Sequence, residues 1–461
     1  MRDRLLTAVL LCCAAAPAGA QLRVATWNVT NYDGTPGATN RNAAFQTAIY
    51  GVFEGRSMAP DLFVGQEFES AFALATFRNL LNAAPGSPGD WAVAPFLPGP
   101  DTESVLLFRT SRVIHLGTTR VVSGGPSPLP PRDVLRFDAR LAGYSGEGAI
   151  LSIYSVHMKA GNASEDQQRR LAEAEAIRAD AELLPAGRHF LLAGDLNMRT
   201  SAEQAYQSLV QGRLNDAGRF FDPISSPGAW NRNFNFRFVH TQDPWPGPGT
   251  GGMDDRFDQI LLSANLRDGW GFDYRGNAAV PYSTATWNDP NHSYRAWGND
   301  GTSFDVGLRI TGNAMVGPVI AQALVNSLDN QMGHLPVFLD LLAPPKIASE
   351  TALDFGYVDQ NATVSLPLTV ANAGDTALWG PAGVGTLRYT MTGQRTLPPG
   401  GVFLEGIAPG GNTHAIRLDT SRRGRVDGAV IISSNDPDQP VRTIRVTGVV
   451  VGTIGARPPR R

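Results

Sequence analysis

Ala193-Gly194-Asp195-Leu196-Asn197 closes an apolar run that begins at His189. An aspartate and an asparagine two residues apart at the carboxyl end of a buried strand point the same way, because strand side chains alternate faces. The pair can present a carboxylate and an amide to one spot, as metal-assisted attack on a phosphate requires. Three other fragments have the same character: Thr26-Trp27-Asn28, Gly65-Gln66-Glu67 and Gly333-His334-Leu335-Pro336.

Around these fragments the pattern is a large mixed α/β domain over residues 22–342. Strands are expected at 22–29, 61–66, 105–109, 151–157, 190–193, 257–262 and 337–341, where apolar and β-branched residues concentrate. One helix is clear. Ser164 with Gln167 three residues on reads as a capping box, Leu171, Ala174, Ile177, Ala181 and Leu184 repeat at helical spacing, and Pro185 and Gly187 stop it. It feeds directly into the Asp195 strand, as in sheets covered by helices. Residues 222–255 and 265–330 are rich in aromatic residues, Asn, Pro and Gly, with one helix expected near 316–328. Such long excursions either face substrate or serve as padding.

The chain of 461 residues is long enough for two or three domains. With 42% hydrophobic and 18% charged residues it has the balance of a globular protein, and 50 glycines and 33 prolines suit a loop-rich or β-rich one. Residues 1–20 read as an export signal: Arg2 and Arg4, an apolar core over 5–16, and Ala18-Gly19-Ala20 before Gln21. Both cysteines, Cys12 and Cys13, fall inside it, so the remaining chain has none. That excludes thiolate metal sites, thiol catalysis and disulfides together. An exported chain without disulfides fits a bacterial periplasmic or extracellular protein. A formal charge of −3 gives no whole-surface attraction to nucleic acid.

Residues 343–348, with Ala343-Pro344-Pro345, read as a linker. Beyond it the pattern changes to short alternating runs at 353–358, 362–370, 385–390, 415–418, 429–433 and 442–451, with turns at Asn372-Ala373-Gly374 and Asn435-Asp436-Pro437. Evenly spaced short strands imply a β-sandwich over 349–452, followed by a disordered tail at 453–461.

Cleaving a phosphate ester needs charge neutralised on the phosphoryl oxygens, a water aimed and deprotonated, and help for the leaving oxygen. Glu67, just past a buried strand, suits a hard cation, and Asn28 can reach the same ion or a phosphate oxygen. Asp195 can orient the attacking water, while Asn197 offers its amide to the developing charge. His334 can act as general base or, protonated, as a partner of the phosphate; Asp258 is the carboxylate expected behind it. His157, at another strand end, can protonate the leaving group or contact the phosphate. Oxygen ligands suit Mg²⁺, Mn²⁺ and Ca²⁺ alike, with Mg²⁺ the first choice.

The ordered motifs Arg23-Val24-Ala25-Thr26-Trp27-Asn28, Gly65-Gln66-Glu67, Val156-His157-Met158-Lys159, Gly194-Asp195-Leu196-Asn197, Phe257-Asp258-Gln259-Ile260-Leu261 and His334-Leu335-Pro336-Val337 resemble the endonuclease/exonuclease/phosphatase superfamily of metal-dependent phosphoesterases. The resemblance spans residues 22–342. It implies a four-layer sandwich of two mixed β-sheets flanked by helices, with Asn28, Glu67, His157, Asp195, Asn197, Asp258 and His334 at one end. One position departs: the family has Ser-Asp-His where this chain reads Met332-Gly333-His334. The missing carboxylate lies near the metal, so Gly333→Asp is expected to raise Mg²⁺-dependent activity unless Asp254 or Asp255 compensates. The C-terminal part, through Ile432-Ser433-Ser434-Asn435-Asp436-Pro437 and Val446-Thr447-Gly448, resembles immunoglobulin-like sandwiches appended to exported bacterial enzymes. The resemblance makes a phosphodiester the expected substrate, nucleic acid first and phospholipid or inositol phosphate as rivals. A binding or adhesion protein with a disabled site is the alternative of another class. Aromatic loops at 230–245 and 270–297 suit either bases or a lipid interface.

Overall fold

The computed structural model describes residues 21–247 and 252–452, so the export segment read at 1–20 and the tail read at 453–461 lie outside the described residues. Leu22–Tyr32 pairs in parallel with Leu62–Phe68. Parallel neighbours need a crossover, which the helix Arg41–Tyr50 provides. The same arrangement recurs where Ile150–His157 runs parallel to His189–Asp195, joined through the helix Ser164–Glu182. Antiparallel strands complete two sheets. In the first, Leu22–Tyr32 and Leu62–Phe68 lie between Val337–Leu342 and Glu103–Arg109. In the second, Val113–Val122, Val134–Leu141, Ile150–His157, His189–Asp195 and Asp258–Ser263 follow one another in chain order.

Alternation of side chains divides the apolar residues of each sheet between two cores. Val24, Val64 and Leu106 of the first sheet meet Phe137, Ile153, Leu191 and Ile260 of the second in a core between the sheets. The opposite face of the first sheet, with Ala25, Trp27 and Phe63, is covered by Phe45, Phe77 and Leu324 of three helices. The opposite face of the second, with Tyr154, Val156 and Leu192, is covered by Ala174, Ile177 and Leu209. The order is helix, sheet, sheet, helix. The helix Ser164–Glu182 starts differently from the expected capping box: its N-cap is Ala163, and the Asp166 carboxylate accepts the Ala163 N–H at 3.1 Å.

Residues beyond 346 build two further sheets, of four and five strands, around one core that includes Leu368, Ile416, Val430 and Ile444. The segment expected as a linker is part of the packing instead. Ala343 is buried and donates its N–H to Gly383 at 2.7 Å, and Ile347–Ser349 is an edge strand. Trp379 is fully buried in the core between the first two sheets. The Arg112 guanidinium lies 5.0 Å from its ring centre and donates to the Leu378 carbonyl. Asp438 accepts the N–H groups of Ser145 and Gly146 at 2.7 Å each and pairs with Lys346 at 3.2 Å. An apolar anchor and a charged clasp thus lock the C-terminal sheets to the N-terminal ones. Among the described residues no helix is long and apolar enough to cross a membrane.

Candidate active site

Strand register sets the level of three polar side chains. Asp195 stands opposite His157 in the parallel pair and opposite Asp258 in the antiparallel pair, so the three share one height at the sheet's end. Backbone geometry there demands a glycine before the aspartate. Gly194 has φ +148°, and a Cβ on it would lie 1.9 Å from the Val156 carbonyl oxygen. From the first sheet, the register breaks between Asn28 and Tyr32 and between Gly65 and Phe68. Glu67 sits inside the second break with φ +63°, a left-handed conformation that turns its carboxylate across to the other sheet. Such strain in a non-glycine residue concentrates at functional sites.

Asp195 Oδ2 is the meeting point. Asn28 Nδ2 donates to it at 3.2 Å and to Glu67 Oε1 at 2.8 Å. His157 Nε2 lies 3.5 Å from Asp195 Oδ2 and 3.6 Å from Glu67 Oε1, and His334 Nε2 lies 3.8 Å from Asp195 Oδ2. Behind His334, Nδ1 donates to Asp258 Oδ2 at 2.7 Å. All seven residues named from the sequence come together at one end of the two sheets; six meet through these contacts, and Asn197 adjoins them.

Two orientations differ from expectation. Asn28 turns its amide oxygen to the Thr30 N–H at 3.0 Å, so the nitrogen, not the oxygen, faces the carboxylates. Asn197 is not placed by strand alternation, because the strand ends at Asp195. Its N–H donates back to Asp195 Oδ1 at 2.9 Å, its φ is +51°, and its amide nitrogen donates to the Met158 carbonyl at 3.1 Å. That bond ties Asn197 to the turn after His157, and its second amide N–H has no partner among the described residues.

Burial and charge separate the two histidines. Burial drives the His157 imidazole well below its usual range, with Arg132 and His334 adding to the effect, so it is neutral. His334 is equally buried, but the carboxylates of Asp258 and Asp195 overcome that and raise it, favouring the imidazolium. Burial pushes the Asp195 carboxyl up, against the pull of His334. Burial thus favours the neutral form of His157, and the flanking carboxylates favour the cationic form of His334.

Sequence reading missed the residues that hold this pair in place. Thr241 Oγ1 donates to Asp258 Oδ2 at 2.6 Å, and the Gln242 amide lies 3.1 Å from His334 Nε2. Both lie in an irregular stretch with no periodic signal. Trp27 Nε1 donates to the His334 carbonyl at 2.9 Å. Arg170, buried on the helix Ser164–Glu182, forks onto Glu203 at 2.6 and 3.0 Å and donates to the carbonyls of Lys159 and Gly161. It thereby pins the chain after His157 to the chain after Asn197. Lys159 itself turns away to Asp166 at 3.1 Å, and Arg256 pairs with Asp222 at 2.9 Å, leaving Asp258 to His334.

The aromatic loops are mostly core. Trp230 and Trp297 are buried, and Trp270 faces Arg388 of the C-terminal part. Phe234 is the exposed ring of the first loop, at 56%. Asp254 is turned away to Arg232 at 3.3 Å, and Asp255 accepts from Asn231 at 2.9 Å while feeling the charge of His334 without touching it. Gly333 is also less replaceable than its sequence position suggests. Its φ is +157°, and a Cβ would lie 2.7 Å from Leu328 Cδ2 and 3.0 Å from Thr30 Oγ1. Gly333→Asp is therefore expected to cost about 1–3 kcal/mol of stability, read as a lower melting temperature.

No sequence-family model matches the chain, and no curated protein does. Solved structures similar to it include the human Nocturnin catalytic domain with bound sulfate, at 14% identity over 70% of this chain and 94% of that one, TM-score 0.38. Another is D. rerio TDP2 complexed with a single-strand DNA product, at 15% identity over 70% and 98%, TM-score 0.40. A third is an endonuclease/exonuclease/phosphatase family protein from Bacteroides thetaiotaomicron, at 14% identity over 70% and 94%, TM-score 0.39. The chemistry open to the site follows from its own geometry.

Proposed function

We propose that this chain is an exported, divalent-metal-dependent phosphoesterase of the endonuclease/exonuclease/phosphatase type, hydrolysing a phosphodiester by in-line attack of water. The observation that carries this reading is the contact of Asp195 Oδ2 with Asn28, His157 and His334, the last backed by Asp258 at 2.7 Å. Residues 22–342 form the catalytic part in this reading, and 349–452 an immunoglobulin-like sandwich.

Among the described residues no group of three or more His, Cys, Asp or Glu forms a ready metal cage. Mg²⁺ keeps several waters and binds through one or two carboxylates plus substrate phosphate. Glu67, partly exposed and aimed into the cluster, would hold the ion with Asn28 steadying its carboxylate. Mn²⁺ or Ca²⁺ fits the same oxygen donors. When bound, the cation supplies neutralisation of phosphoryl charge.

The chain's own groups do the rest. Asp195, its carboxyl raised by burial, accepts the proton of the attacking water as the new P–O bond forms and the P–O bond to the leaving group breaks. His334, cationic and oriented by Asp258, donates from Nε2 to a phosphoryl oxygen. Neutral His157 and the second amide N–H of Asn197 hydrogen-bond the oxygens that gain charge. The leaving oxygen takes its proton from solvent.

Nucleic acid is the proposed substrate. The reading is tested by incubating the protein with plasmid DNA, RNA, sphingomyelin and a chromogenic phosphodiester, each with Mg²⁺, Mn²⁺, Ca²⁺ or EDTA. Metal-dependent cleavage of DNA or RNA is expected. Cleavage of sphingomyelin alone would replace the substrate, and no turnover with any of them would replace the enzyme by a binding protein.

A further inference from the structure

A cavity of about 880 Å³ opens at the pole opposite the candidate active site. Its floor is the Arg23 end of the strand whose other half carries Asn28, roughly 16 Å away at about 3.3 Å per residue. None of the seven candidate site residues lines it. Five arginines do, and three of them are already answered by carboxylates: Arg23 by Asp340 at 2.7 Å, Arg109 by Asp61 at 3.0 Å, and Arg56 by Glu54 at 2.8 Å.

Arg275 and Arg295 are different. Among the described residues neither has a carboxylate in ion-pairing range. Arg275 donates from Nη1 to Gln21 Oε1 at 2.6 Å, and its Nε and Nη2 have no partner among them. Arg295 spends both Nη atoms on carbonyls and Asn288, which fixes the guanidinium but does not neutralise it. The two stem from neighbouring backbone, since the Ser293 N–H donates to the Arg275 carbonyl at 3.2 Å. Beside them stands Trp287, half-buried, its backbone held by Tyr282 Oη at 2.6 Å, with the Arg56 guanidinium 5.2 Å from its ring centre.

Arg275 keeps Nε and Nη2 to fork onto a phosphate, while Arg295, its Nη donors already spent within the chain, adds positive charge beside it. Trp287 lines the same cavity, so a flat ring seated there would meet its indole. The volume is within the range of small-molecule sites, roughly 300–1,000 Å³. We propose that this cavity is a second ligand site that takes a mononucleotide, its phosphate against Arg275 and Arg295 and its base against Trp287. The site does not depend on the phosphoesterase reading, and its test reads binding alone.

Calorimetric titration of the intact protein with adenosine 5′-monophosphate, in EDTA so that no turnover intervenes, is expected to show saturable binding. Arg275→Glu, at an exposed position, and Trp287→Leu are each expected to weaken it at least tenfold. Asp195→Asn is expected to leave it unchanged, and inorganic phosphate to bind more weakly than the nucleotide. Absence of saturable binding, or unchanged affinity in both cavity variants, would overturn the proposal. So would loss of binding in Asp195→Asn, which would place the nucleotide in the candidate active site, or equal affinity for phosphate alone, which would remove the role of Trp287.

Discussion

His334→Ala is expected to lower kcat/KM for phosphodiester hydrolysis by about 10²–10⁴, the range lost when a positioned proton-handling or charge-bearing group is removed. The residue is small enough a part of the packing that the fold survives, since what it touches is Asp258, Asp195 and the Gln242 amide. Asp258→Asn separates the charge from the geometry. The amide introduced by that substitution could still meet Nδ1, but the carboxylate that raises the imidazolium would be gone. Asp195 and Glu67 would still oppose burial, but with less help, so the His334 titration moves to lower pH and the cationic form is lost sooner as pH rises. Imidazole proton shifts followed by NMR against pH, in wild type and Asp258→Asn, check the direction. An unchanged titration in the variant would mean that Asp258 does not set the charge of His334.

The second large effect is on stability. Trp379→Ala is expected to cost about 3–5 kcal/mol, the range for removing a buried aromatic side chain. The ring fills the end of the core between the first two sheets, under Arg112, although it belongs to the C-terminal part of the chain. Ending the chain at residue 342 would remove Trp379, Val384 and Ala343 from that core together and leave Asp438's partners Ser145 and Gly146 without their acceptor. The shortened protein is expected to aggregate or to melt well below the full chain. Thermal unfolding of both checks this, and an unchanged melting temperature after truncation would show that the two parts are independent.

The strands that carry the site were legible because they are buried on both faces and read as continuous apolar runs ending in a polar residue. Val113–Val122 and Val134–Leu141 were not: His115, Arg120, Arg136, Asp138 and Arg140 interrupt their apolar positions. Arg41–Tyr50 and Ala71–Ala83 carry a weaker sequence signal, since neither has an acidic residue in its first turn and the short runs around them resemble loops. The site residues themselves could be named from strand ends. Their orientations could not, because the turn at Asn197 and the bulge at Glu67 depend on positive φ angles that a two-residue alternation does not contain. Thr241, Gln242 and Arg170 act through irregular chain or from a buried helix face, where nothing in the order of residues marks a polar role. The packing of 343–348 is hidden for a similar reason: Pro344 and Pro345 mark a break in regular structure, and only the three-dimensional contacts show that the break is buried.

Asp195, at the convergence of both sheets, is proposed to activate water against a phosphodiester in the presence of a hard cation. Initial rates on a chromogenic phosphodiester test it, comparing wild type with Asp195→Asn, each with Mg²⁺, with EDTA, and with Mg²⁺ restored after EDTA. Hydrolysis by wild type that disappears in EDTA, returns with Mg²⁺, and falls by about 10² or more in Asp195→Asn is the expected result. Equal rates in wild type and variant, or hydrolysis indifferent to EDTA, would contradict it.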